Sequence, residues 1–365
     1  MRDPRDEQYA RLLVEQCIDV QPGWQVLVNA GVLARPLWEE VVRVIAERGA
    51  YALSRLSFAS GAGPNSTWVN NAPEELLSTI APIEEHSFLE ADALIAIVAP
   101  ENTRDGVDIP SHRLQLVQQS AHRIQDRIIS GEVPWVGCQY PTPALAQDAG
   151  MTLQEFSEFL YGAVLLDWDV ERERMAKIKE IFDDAAEVRI VGDGTDLTLS
   201  LVGRHGEIDA AGANIPGGEV FYSPVEESAE GVVEFSEFPA VYAGREMTGI
   251  RFRFEGGKIV DVSAQSNEDF LIQTLDVDEG ARRLGELGIG CNPGITRYMK
   301  NTLFDEKING TVHLAVGRGF PNLGGKNVSA IHWDIVKDVR QNGRIEVNGK
   351  LVQENGEWLH TQVAG

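Results

Sequence analysis

Cysteine is almost absent: Cys17, Cys138 and Cys291 are the only three in 365 residues, an odd number in no metal-type spacing. That argues against a disulfide-stapled fold and fits reduced thiols in a cytosolic protein. Long apolar runs are missing too. No uninterrupted stretch approaches the ~20 residues of a membrane span, and the opening MRDPRDEQYARLL is charged where an export signal would be apolar. The sequence therefore predicts a cytoplasmic protein with no membrane partner. Positive charge is scarce: 32 Lys and Arg stand against 56 Asp and Glu, a formal charge of −24. With no stretch basic enough to clamp phosphates, nucleic acid is not expected as a partner. An acidic surface attracts cations instead, metal ions and amines among them. Internal repeats and low-complexity segments are also lacking.

What is present is apolar residue, 43% of a chain long enough for two domains with real cores. In the first half, apolar runs at 22–31, 51–58, 93–99 and 135–139 read as strands, and helical periodicity at 36–48, from about 73, and at 113–130 separates them. Leu37, Val41, Val42 and Ile45 share one helical face. Repeated units of this kind predict a mostly parallel sheet covered by helices. A helical stretch over 152–186 follows, opened by a capping-box pattern at Thr152 and Glu155. The domain boundary is placed near Ala186, giving domains 1–186 and 187–365. Beyond it, short strands at 188–191, 196–202, 231–235, 249–254 and 258–262 are divided by Gly-rich turns, including a hairpin at Gly256-Gly257. One helix is expected over 267–287, and a last hairpin at Asn348-Gly349. The fold class is thus an α/β N-terminal domain with a mostly parallel sheet, followed by a mainly antiparallel β (α+β) metal-binding domain.

The chemistry concentrates in HLAVGRGFPNLGGKNVSAIHWD, residues 313–334. Val312, Leu314 and Val316 fall on one side of a period-two strand, with His313 on the other. Ile331, Trp333 and Ile335 share a side in a second strand, leaving His332 and Asp334 together, about 7 Å apart along the chain at the strand rise. Either histidine alone is more often a satisfied polar group on a half-exposed strand. The three residues together favour a site for one ion or for two adjacent ions. Three carboxylates are candidates to complete it. Glu286, in DEGARRLGELGIG, is expected in the last turn of a helix, just before glycines that would let it reach a loop. Glu219 follows Pro216-Gly217-Gly218, where the backbone can approach a neighbour closely. Glu306 precedes His313 in LFDEKING. His86, His112, His122, His205 and His360 have no partner pattern and read as structural or surface residues.

NIPGGEVF, DVDEGARRLGELG, NTLFDEKINGTVHLAVGRGFP and IHWDI, in this order and spacing, resemble the thermophilic metallo-aminopeptidases of the aminopeptidase T family. GDGTDLTLSLVG and the closing hairpin resemble it as well, so the match covers the second domain, while the first is similar in layout. The resemblance implies that Glu219, Glu286, His313, His332 and Asp334 bind two divalent ions, with Glu306 a further candidate. It also implies a homodimer acting on small peptides. Five residues serve two ions only if a carboxylate bridges them, and Glu286 or Asp334 would do so. Oxygen and imidazole donors fit Zn, Co, Mn or Mg. The proton acceptor would be Glu286 or a non-ligating carboxylate. The family motif has a tyrosine, associated with catalysis, where this chain has Phe320. Tyr298, Arg318 or a metal could supply the missing donor. Two alternatives use the same strands. His313, His332 and Asp334 alone would hold a mononuclear non-haem iron, as in the 2,5-dihydroxypyridine ring-cleaving dioxygenases, which resemble this domain distantly. A catalytically weak, metal-dependent peptide-binding protein is the other.

Overall fold

A computed structural model describes residues 3–58 and 65–359, so His360 lies outside the described residues. Contacts divide the chain into two compact units: Met1–Leu165 with Ala211–Pro216, and Leu166–Ala210 with Gly217–Gly365. The sequence put the boundary near Ala186. In the structure, the helix Trp168–Phe182 lies before that point and packs on strands Glu207–Asp209 and Glu219–Tyr222 of the second unit, burying Trp168, Met175, Ile178 and Phe182.

The first unit holds a five-stranded sheet in the order Tyr51–Ser57, Gln25–Gly31, Ala93–Val98, Trp135–Gln139, Asn214–Ile215, with every pair parallel. Parallel neighbours need long crossovers, and helices such as Arg35–Glu47 provide them, with Leu37, Val41 and Ile45 buried. The strand Asn214–Ile215 has only two residues, too few to show a period, and it was not foreseen. Helical stretches read as continuous are broken. Residues 111–129 form two helices, Ser111–Ser120 and His122–Ile129. The capping box at Thr152 forms as expected and opens Leu153–Val164. That helix then stops, because the Asp167 carboxylate accepts from the Val170 N–H and starts a new one.

The second unit is built on antiparallel sheets. One has eight strands, and in it Ile250–Glu255 pairs with Lys258–Ser263 across Gly256-Gly257, while Arg344–Val347 pairs with Lys350–Glu354 across Asn348-Gly349. The other has five, in the order His332–Lys337, Val312–Gly317, Leu284–Gly290, Glu219–Tyr222, Glu207–Asp209. Here the helix expected over 267–287 is corrected. Helix Glu268–Leu275 and a 3-10 turn Glu279–Arg282 come first, and Leu284–Gly290 is a fully buried strand. Leu284 and Leu287 are three apart, which mimics a helix. The cause is a register shift between Leu284 and Glu286 that offsets the strand period.

Candidate metal centre

The five-stranded sheet has two unlike faces. One buries Val220, Leu287, Ile289, Val312, Leu314, Val316, Trp333 and Ile335, each large aliphatic side chain there contributing roughly 1.5–3 kcal/mol on burial. The alternation of strands sends Glu219, Glu286, His313, His332 and Asp334 to the other face. Register then brings them together, since Ala315 pairs with Glu286 on one side and Asp334 on the other, while Gly317 pairs with His332. Small residues make the room. A Cβ on Gly288, opposite His313, would lie 1.9 Å from the imidazole Nε2, so the ring occupies the space above that glycine.

Glu286 is central. His313 Nε2 lies 3.2 Å from its Oε1 and His332 Nε2 lies 3.0 Å from its Oε2. Each imidazole is fixed from behind: His313 Nδ1 meets the Glu306 main-chain carbonyl at 2.9 Å and His332 Nδ1 meets that of Arg318 at 2.7 Å. With Nδ1 donating to a carbonyl, Nε2 is the atom left to bind a cation. Two groups that could each hold an ion result, Glu219, Glu286 and His313 in one, and Glu286, His332 and Asp334 in the other, with donor atoms in each within 4.8 Å of one another. Glu219 Oε2 and Asp334 Oδ1 are buried and make no hydrogen bond, though each lies near an imidazole, at 3.3 and 3.6 Å. Buried carboxylate oxygens without donors are costly unless a cation meets them. The donor set therefore fits divalent ions.

Electrostatics agree. Burial works against charge on Glu286, yet His313 and His332 hold its carboxyl down to about 2. Against the same burial, Glu286 raises both imidazoles above their ordinary value. Burial and then the Glu286 charge push Asp334 up to about 6. A cation arriving at either Nε2 has to displace a proton, so binding is coupled to proton release.

Glu306 lies beside the cluster but is engaged differently. Its carboxylate pairs with Lys307, whose Nζ also lies 3.1 Å from Glu219 Oε1. Burial pushes Glu306 up to about 8, with Lys307 pulling the other way and Glu219 and Asp334 adding to the rise. Lys307 is fully buried. Nothing in LFDEKING marks it, because a lysine in a polar stretch ordinarily reads as surface. Ser223 was also missed: its hydroxyl donates to the Gly285 carbonyl at 2.9 Å and accepts from the Phe320 N–H at 2.8 Å. The Phe320 and His332 rings meet edge to face, with centroids 5.1 Å apart. Tyr298 gives its hydroxyl to the Pro239 carbonyl and stacks on Phe238, and Arg318 contributes its carbonyl to His332. His86, His112, His122 and His205 are exposed, and none belongs to either group of candidate ligands among the described residues.

The family model described as thermophilic metalloprotease (M29) matches residues 2–358. Aminopeptidase AmpS of Bacillus subtilis is 28% identical over 417 residues, covering 96% of this chain and 97% of the relative. Among solved structures, AmpT from Thermus thermophilus is similar at a TM-score of 0.81 and 23% identity, over 97% of this chain and 99% of that one. The 2,5-dihydroxypyridine dioxygenase of Pseudomonas putida aligns at a TM-score of 0.61 and 14% identity, over 98% of each chain. These two likenesses show the fold.

Proposed function

The chain belongs to the thermophilic metalloprotease (M29) family, and from that premise we propose that it is a two-ion aminopeptidase releasing N-terminal residues from small peptides. The observation that carries this reading is Glu286, whose two oxygens each face the Nε2 of a different imidazole. A carboxylate so placed is suited to bridge two cations. Glu219 and His313 would complete one position, and His332 and Asp334 the other. Divalent ions held there, Zn, Co, Mn or Mg by donor type, would supply an acidified water and polarise the scissile carbonyl.

The remaining steps fall to the chain. The carbonyls behind His313 and His332 keep both rings from turning. With Glu286 suited to bridging, the proton acceptor is the neighbouring non-ligating carboxylate Glu306, whose ion pair with Lys307 favours its charged form. The acidic surroundings favour the substrate's free ammonium. The iron-dioxygenase reading is less well supported. His313, His332 and Asp334 do not form a compact triad of their own among the described residues; Glu286 is shared between the two imidazoles. A cytoplasmic setting and a homodimer belong to the same proposal.

The test is to strip the protein with chelator and assay aminoacyl anilides before and after adding Co²⁺ or Zn²⁺. Activity should vanish and return, with about two ions per chain as a bridging Glu286 predicts. A fully metallated protein that binds peptide and cleaves no such substrate would sink the peptidase reading, and one iron per chain with oxygen uptake would replace it.

A further inference from the structure

Lys307 has no part in the ligand set, yet its ammonium sits against it. The side chain is fully buried, with Nζ 3.1 Å from Glu219 Oε1 and paired with Glu306. Asp209 adds a third carboxylate to its surroundings. The contact is one-sided. Glu219 belongs only to the group with Glu286 and His313, whereas the group of Glu286, His332 and Asp334 has no lysine or arginine ion pair among the described residues.

Resting on the two-ion reading above, we propose that Lys307 is a resident cation that makes the two ion positions unequal. It occupies one oxygen of Glu219 and leaves only Oε2 as donor, which limits that residue to a single bond with an incoming ion. Its positive charge also repels a divalent ion at that position through a medium with little water to screen it. The position built on His332 and Asp334 therefore fills first. The position built on Glu219 and His313 is the weaker, exchangeable one, and activity follows its occupancy. Lys307 acts here as a positioning residue, through Glu219 and through charge.

The experiment uses the full chain, stripped of metal and titrated with Co²⁺ by calorimetry and by visible absorption. The wild type should show two steps whose constants differ at least tenfold. Glu219→Gln should remove the weaker step, and Asp334→Asn the tighter one. Lys307→Met removes the charge at similar length and should tighten the weaker step at least tenfold while leaving the tighter one in place. Lys307→Arg should keep the steps apart. Two steps equally separated in wild type and Lys307→Met, or a weaker step that weakens further, would overturn it and leave the two-ion reading standing. One ion in every form would overturn both. Thermal unfolding of each stripped variant checks folding before titration, and Lys307→Gln replaces the Met variant if that one fails to fold.

Discussion

Phe320 stands where the resembled family has a tyrosine, beside the His332 imidazole. Its backbone is tied down by Ser223, and its ring lies between Phe221 and His332 at centroid distances of 5.3 and 5.1 Å. A hydroxyl on this ring would add a hydrogen-bond donor to a side chain already in contact with the His332 imidazole. The obvious substitute is already spent, since the Tyr298 hydroxyl donates to Pro239 and its ring is stacked. A single donor to a developing oxyanion is worth on the order of 10²–10³ in rate. Phe320→Tyr should therefore raise kcat on aminoacyl anilides by about 10² with KM little changed, as steady-state kinetics on the metallated protein would show. An unchanged kcat would mean that no donor is missing at this position.

At the scale of elements, the site depends on two loops being held together. Asp278 caps the 3-10 turn through the Ala281 N–H at 2.9 Å, while its other oxygen accepts from the Ser329 hydroxyl at 3.0 Å and the Ala330 N–H at 2.6 Å. It thereby joins the segment leading into Leu284–Gly290 to the one leading into His332–Lys337. Burial opposes its charge, but the Ala330, Ser329, Ala281 and Gly280 donors win and hold the carboxyl below its ordinary 3.8. A carboxyl depressed on folding stabilises above its unfolded value, and that stability is lost as pH falls through the folded value. Asp278→Ala should cost about 1–2 kcal/mol at pH 7. In urea unfolding, the gap to wild type should stay level from pH 8 to about 5 and close only below about 4; a gap that changes between pH 8 and 5 would remove Asp278 as its source. The strands bearing His313, His332 and Asp334 were legible because alternation survives when one face is apolar and the other carries the candidate ligands. Glu286 was legible as a candidate but not as a strand residue, because the bulge at Gly285 hides the period and the charges at 279, 282 and 283 imitate a helix. Lys307 was illegible, since burial of a lysine is decided by partners that come from distant strands.

For the whole molecule, the decisive fact is that Glu219, Glu286, Glu306, Lys307, His313, His332 and Asp334 all lie in one compact unit of about 190 residues, built from Leu166–Ala210 and Gly217–Gly365. The other unit carries a parallel sheet with its own core and none of these side chains. A ligand that binds only the folded form stabilises by RT ln(1 + [L]/Kd), about 2.7 kcal/mol at a hundredfold excess over Kd. For a unit of this size, 1 kcal/mol moves the midpoint by roughly 2–4 °C. The gain therefore belongs to one unit, and a single midpoint for the chain would conceal it. Calorimetry of the stripped protein with increasing Zn²⁺ or Co²⁺ should show one transition climbing by about 5–10 °C at that excess, while the other stays in place. Limited proteolysis during the same titration would identify the protected fragment, expected to contain 217–359. Metal that leaves both transitions unmoved would contradict the assignment of these carboxylates and imidazoles to ion binding, whatever activity the chain retains.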